Sequence, residues 1–274
     1  MSFGLFLPGV DPDTVYKKLV EEVHNNGSSY NDKYILPTTS VKCYAGKRYL
    51  TTTGVNLPYI FEAVFRLIIE PANLGYKVKD LFNAGRDTFL VEGRSVMAWF
   101  GFADVYNNTL NFTITLRDVD VVNDYGGMYT YYFLLMELVA SVTGFRMGSI
   151  TFFFNNVHMS TKDGKVYENL KNIQPYSYKT NTITAQTYDY LTNCAKYALD
   201  MWEEYNQNPG KDFDLSVVTD ICWRDLLAVM MFQIKIDAGD YVSAKNCVDL
   251  LDSYSYEWLW CMKKMEGVVE HVNT

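Results

Sequence analysis

L-N-F-T-I-T-L-R-D-V-D (Leu110–Asp120), then Y-Y-F-L-L-M-E-L-V-A-S-V-T-G-F-R-M-G (Tyr131–Gly148), then I-T-F-F-F (Ile150–Phe154) closing on N-N-V-H (Asn155–His158) is the run of sequence that decides the fold. The first piece reads as a strand ending in an Arg and an Asp. The second is an apolar helix, Met128–Val142, stopped by Gly144. The third is apolar on both faces, as expected of a central strand. Strand, loop, long buried helix and strand thus follow one another, with charged residues at both strand ends. No cysteine lies between Cys43 and Cys194.

Upstream, Asp11-Pro12-Asp13 predicts a helix start, Val15–Val23 carries helical apolar spacing, and Asn25-Asn26-Gly27 predicts its end. Ser28 to Lys33 reads as a polar loop, Thr38–Tyr44 as a strand, and Ala45-Gly46-Lys47-Arg48 as a turn. Leu57–Ile69 is an apolar helix ended near Pro71; Val78–Phe82 starts a shorter one that Gly85 breaks. Val96–Tyr106 and Thr109–Leu116 form a hairpin about Asn107-Asn108. Downstream, Lys162-Asp163-Gly164-Lys165 reads as a turn and Asn172–Asn181 as irregular; Thr187–Tyr205, Leu215–Ile236 and Tyr241–Val269 read as helices. Mixed strands and helices followed by a helical tail predict an α+β domain over residues 1–180 and a helical extension over 181–274.

Composition narrows the function. With 49% hydrophobic residues, 22 Tyr and 16 Phe among 274 residues, the chain can bury a sizeable, ring-rich core. A net charge of −8 repels polyphosphate at long range and disfavours non-specific nucleic-acid binding. Five scattered cysteines, at 43, 194, 222, 247 and 261, form no zinc-like spacing and read as reduced thiols of a cytoplasmic protein. The first residues lack the basic region of a secretion signal, and no segment approaches the roughly 18 uninterrupted apolar residues of a membrane span. Asp118, Asp120 and Asp124 lack the glycine and closing glutamate of an EF-hand loop, so no metal is expected.

Four segments resemble the thymidylate synthase superfamily, which includes the phage-type deoxycytidylate and deoxyuridylate hydroxymethylases. V-Y-K-K-L-V-E-E-V-H-N-N-G-S-S-Y-N-D-K (Val15–Lys33) is similar to its first helix and phosphate-binding loop, with Lys33 in the place of an arginine. Lysine serves there as a point charge without the planar fork. L-T-T-T-G-V-N-L-P-Y-I-F-E-A-V-F-R-L-I (Leu50–Ile68) resembles the family's L-T-T-K turn and next helix. The family's proton-transferring glutamate falls on Ala63, and Glu62 lies one position away, a rotation of about 100°. Along Leu110–Tyr132, Arg117 matches the phosphate-binding arginine and Asp120 its aspartate, while the base-reading asparagine lands on Met128, which cannot both donate and accept. In Gly148–Ser160, His158 matches the sugar-contacting histidine, and Ser160 replaces a tyrosine.

The nucleophile position departs from the family. Counted back from Arg117 it falls on Met97; alternatively Arg94–Trp99 aligns with the family strand and the cysteine loop is deleted. Either way the thiolate that attacks the pyrimidine ring is missing. The resemblance therefore implies a thymidylate synthase-like mixed sheet with a long buried helix and a homodimer made by sheets packed back to back. It further implies a catalytically degenerate, pyrimidine-nucleotide-binding or protein-interaction module, with nucleotide near Arg117, Lys33, Asp120 and His158 and no cofactor. Two alternatives stay open. One is an active deoxypyrimidine methylase or hydroxymethylase that uses methylenetetrahydrofolate and a relocated cysteine, sited in the host cytoplasm if phage-encoded. The other is a single-strand nucleic-acid binder stacking bases on Tyr125, Tyr129, Tyr131, Tyr132 and Phe133.

Overall fold

The computed structural model describes residues 5–9, 11–44, 46–69, 88–91, 96–104, 108–184, 187–211, 214–215 and 218–272. The helix expected at Val78–Phe82, Gly85 and Arg94 lie outside them. The chain divides into two compact units: Met1–Val55 with Pro71–Tyr176, and Asn56–Glu70 with Ser177–Thr274.

Among the described residues the first unit has seven strands: β1 (Leu5–Gly9), β2 (Ser28–Tyr30), β3 (Lys33–Tyr44), β4 (Thr88–Val91), β5 (Val96–Asp104), β6 (Thr109–Asp120) and β7 (Arg146–Ser160). They hydrogen-bond in the order β1-β3-β7-β6-β5-β4, with β2 hung on β3. The β1–β3 and β6–β7 pairs are parallel; the rest are antiparallel. The I-T-F-F-F run lies in β7, flanked on both sides as its two-faced apolarity predicts.

Side-chain alternation sorts this sheet into two faces. One carries Val41, Cys43, Phe112, Ile114, Leu116, Ile150, Phe152 and Phe154, all buried. Helices α1 (Pro12–Asn26) and α3 (Tyr125–Thr143) cover it, and α2 (Leu57–Ile69) lies between them in sequence. The Tyr125 ring meets Phe152 and Phe154 at 6.1 and 6.3 Å and stacks on Tyr16 of α1 at 5.6 Å. Tyr129, Tyr132 and Phe133 are buried as well. On the other face Phe153 and Tyr44 are each 45% exposed.

Local chemistry sets the helix ends. Asp11 caps α1 by accepting from the Thr14 backbone N–H at 2.9 Å, with Pro12 at the first turn, where its missing N–H costs nothing. Gly144 ends α3 at φ 76°, a left-handed conformation natural to glycine. Helix α3 begins at Tyr125, earlier than the apolar run suggests, because Asp120 organises the turn before it.

Four expectations need correction. The helix expected over Leu215–Ile236 starts only at Ile221, where the Asp220 carboxylate accepts from the Trp223 N–H at 3.1 Å as its cap. Ser28–Lys33 is not a loop but a hairpin: Asn31 and Asp32 take φ 46° and 59°, the two left-handed positions of a tight primed turn. Lys162–Lys165 is not a plain turn; a short 3-10 stretch, Thr161–Asp163, leads into α4 (Gly164–Asn172). The last predicted helix is two, α7 (Tyr241–Asp249) and α8 (Tyr256–Val272). Ser255 breaks the run, its hydroxyl accepting from Trp258 N–H at 3.0 Å as a new cap.

The second unit joins α2 to α5 (Tyr188–Gln207), α6 (Ile221–Asp237), α7 and α8. Phe65 of α2 packs on Trp223 of α6 at 5.1 Å, and Phe232 on Trp260 at 6.1 Å. Lys235 is buried, donating to the carbonyls of Pro209 and Lys211 at 2.6 and 3.0 Å. The expected C-terminal helices are therefore present. Among the described residues no helix is long and apolar enough to cross a membrane.

Candidate functional site

The sheet turns polar at one end. Its apolar rows run Cys43–Ile150–Phe112, Val41–Phe152–Ile114 and Thr39–Phe154–Leu116. Thr38, at φ 50°, then interrupts the alternation: Pro37 and Thr38 are both exposed, as are Arg117 and Asp118, and burial passes to Val119, Val157 and Met159. The rows beyond are Pro37–Asn156–Asp118 and Ile35–His158–Asp120. Lys33 stands one step further along β3, opposite Ser160. The Asn31-Asp32 turn fixes that register, so three residues from distant segments share one face.

His158 is the centre of this cluster. Only 8% exposed, its Nδ1 lies 3.0 Å from Asp118 Oδ1 and its Nε2 2.9 Å from Lys33 Nζ. Lysine ammonium has only protons to give and aspartate only lone pairs. Partner chemistry therefore assigns the ring proton to Nδ1, donated to Asp118, and a lone pair on Nε2 accepting from Lys33. Asp120 Oδ2 stands 4.0 Å from the same Nε2.

Asp120 also has a structural task. Its Oδ1 accepts from the N–H groups of Val122 and Asn123 at 3.0 and 3.1 Å, and its Oδ2 from Asn123 Nδ2 at 3.1 Å. This Asx turn launches α3. Tyr16 comes close enough to feel that carboxylate: burial raises the phenol pKa, a hydrogen bond with Thr53 opposes the rise, and the Asp120 charge adds to it. One lysine and two aspartates leave the cluster slightly acidic. It offers acceptors to hydroxyl groups more readily than cations to a phosphate.

Lys33, Asp120 and His158 thus converge, and Asp118 joins them. Its role depends on a parallel register between strands 40 positions apart, which no local pattern reveals. Arg117 is exposed next to Asp118 at the same strand end. Among the described residues it makes no ion pair, so the pairing with Asp118 or Asp120 that its neighbours suggest is not formed.

Glu62 lies in the second unit, its Oε1 3.0 Å from Arg66 Nε; Arg66 also binds Glu203 at 2.9 Å. Met97 occupies a bulge in β5, skipped between the Val96–Leu116 and Ala98–Thr115 pairs. Met128 is half-buried in the first turn of α3, and Ser160 accepts from Lys162 N–H at 3.2 Å.

A second polar centre escaped the sequence reading. Asp13, wholly buried, accepts from the N–H and hydroxyl groups of both Thr51 and Thr52 at 2.6 to 3.0 Å. The L-T-T turn is held by this carboxylate. The pairing of an acid in the first helical turn with a later Thr-Thr was the signal available.

No described cysteine is poised as a nucleophile. Burial pushes Cys43 up to about 12 despite the Tyr125 hydroxyl 4.0 Å away, and Cys247 also to about 12. Burial lifts Cys261 well above the usual thiol value and raises Cys194; Cys222 is buried. Among the described residues no group of three or more His, Cys, Asp or Glu is arranged to hold a metal ion.

No family model matches the chain, and no curated protein does by sequence. Among solved structures it is similar to the thermostable thymidylate synthase A from Bacillus subtilis, with a TM-score of 0.55 at 12% identity, over 67% of this chain and 93% of that one. The fold is thymidylate synthase-like, a mixed sheet with the expected helices.

Proposed function

We propose that the chain is a catalytically degenerate thymidylate synthase-fold protein that binds a deoxypyrimidine nucleotide through its sugar and pairs with a second copy through its uncovered sheet face. The observation that carries the binding half is the Lys33–His158–Asp118 chain of hydrogen bonds, with Asp120 beside it, at the polar end of the sheet. A sugar hydroxyl can both donate to a carboxylate and accept from the lysine ammonium, which this arrangement rewards. Arg117, exposed at the same strand end, supplies charge for the phosphate.

The non-catalytic half follows from the thiols. A pyrimidine carbon needs a thiolate attacker, and burial holds four of the five cysteines above the ordinary thiol range. Methylenetetrahydrofolate, the one-carbon donor implied for an active enzyme, then has no activated ring carbon to meet. Burial of Tyr125, Tyr129, Tyr132 and Phe133 counts against the base-stacking alternative.

Isothermal titration with dUMP, dCMP and the matching nucleosides tests the proposal. Saturable binding that weakens tenfold or more, about 1.4 kcal/mol, in Asp118→Asn and Lys33→Met supports it. Absence of heat with every ligand removes the nucleotide reading. Tritium release from C5 of labelled dUMP or dCMP with methylenetetrahydrofolate, lost on a Cys→Ser change, removes the non-catalytic one.

A further inference from the structure

The Lys33–His158–Asp118 chain has the layout of a nucleophile, a base and a group that orients the base. We propose that Lys33 is an activated amine that condenses with small uncharged aldehydes, a reactivity separate from nucleotide binding. Lys33 is exposed and so open to a reagent, whereas His158 is buried and held between two partners. With its proton fixed on Nδ1 by Asp118 at 3.0 Å, the ring presents only the Nε2 lone pair to Nζ, 2.9 Å away. A base at hydrogen-bond reach of the proton it removes, itself oriented by a third group, is the arrangement that activates a weak nucleophile. Asp118 is the positioning residue.

The step balances within the cluster. The ammonium passes one proton to Nε2. The freed amine adds to the carbonyl carbon, forming the C–N bond as the π electrons move to oxygen, and a proton shifts from the added nitrogen to that oxygen. The imidazolium returns the first proton to the hydroxyl, which leaves as water, and an iminium remains on Lys33. Asp118 and Asp120 favour that cation and disfavour an anionic group carried directly beside the reacting carbonyl, which selects small neutral aldehydes as the substrate class.

The full chain is incubated with glyceraldehyde and cyanoborohydride at neutral pH, and the modified lysines are mapped by peptide mass spectrometry. Lys162 and Lys165, exposed and outside the cluster, are internal standards. Lys33 is expected to react at least about tenfold faster than either, below the usual 10²–10⁴ of a positioned base because the site is open. In Asp118→Asn a neutral amide replaces the charge that stabilises the imidazolium formed when Nε2 takes the lysine proton; the Lys33 rate drops to that of the standards. Asp118 is half-exposed, so this variant is expected to unfold at the wild-type temperature, and circular dichroism checks it. Equal rates at all three lysines in the wild type, or an unchanged Lys33 rate in Asp118→Asn, overturn the proposal. No nucleotide enters the assay, so fast Lys33 labelling in a protein that gives no heat with dUMP removes the nucleotide reading alone.

Discussion

Glu137 shows how much one residue can commit a fold to a single arrangement. It is the lone acid in the apolar L-L-M-E-L-V-A run of α3, and both its carboxylate oxygens bind the buried Arg48, Nε to Oε2 and Nη2 to Oε1, at 2.9 Å each. A planar fork matched to a planar carboxylate fixes the approach of the turn carrying Arg48 to α3. Burying both charges is expensive, so the pair need not add net stability, but removing one partner strands the other. Glu137→Ala is expected to lower unfolding free energy by about 3–5 kcal/mol, read as a shift in the urea midpoint at unchanged slope. The double variant Arg48→Met with Glu137→Leu is expected to recover most of that loss, and a double no better than the single contradicts the account. At this scale the sequence was partly legible. Lys33, Asp120 and His158 followed from the order of four motifs. Asp118 was not legible and Asp13 was missed, because each acts on a partner in a different segment.

Elements were read best where a long apolar period and a cap agreed, as in α1 and α2, and worst where a few polar residues decide. The Asn31-Asp32 turn converts a presumed loop into the hairpin that sets the Lys33 register, and Ser255 cuts one expected helix into two. Helix α1 carries a pH dependence at its start. Burial alone would raise the Asp11 pKa, but hydrogen bonds from Lys47 and from Thr14, with the Lys47 charge at 2.8 Å, hold it below its ordinary 3.8. An acid with a depressed folded-state pKa contributes stability above its unfolded value and loses it as pH falls through the folded one. The Asp11 contribution is therefore complete at neutral pH and fades on acidification below about 3.8. Asp11→Asn keeps a capping oxygen and removes the titration. Its unfolding temperature is expected to fall less steeply than wild type below that pH, and parallel curves would remove Asp11 as the cause. At the other end of the apolar layer, Gly144→Ala keeps every contact but forces a Cβ into φ 76°, at a cost of about 1 kcal/mol. Thermal unfolding reads that cost, and an unchanged midpoint would mean that α3 does not depend on this cap.

At the scale of the whole molecule the question is what covers the second face of the sheet. One face is sealed by α1 and α3. On the other, Phe153 and Tyr44 stay 45% exposed beside half-buried Thr113, Thr115 and Thr151 and Lys42, whose Nζ lies 5.1 Å from the Tyr44 ring centroid. A ring of that size left in water on a central strand forgoes roughly 1–2 kcal/mol of burial, which a second copy laid on this face would recover. The net charge of −8 opposes association at long range, so pairing through such a face must rest on apolar contact and persist, even tighten, as salt screens the repulsion. Sedimentation analysis at micromolar protein is expected to give a dimer whose affinity rises from low to physiological salt. Phe153→Glu puts a like charge on each copy where the two faces meet and is expected to yield a monomer with the helical circular dichroism of the wild type. A wild type that sediments as a monomer throughout, or a Phe153→Glu protein that remains dimeric, would assign the exposed ring to some other contact.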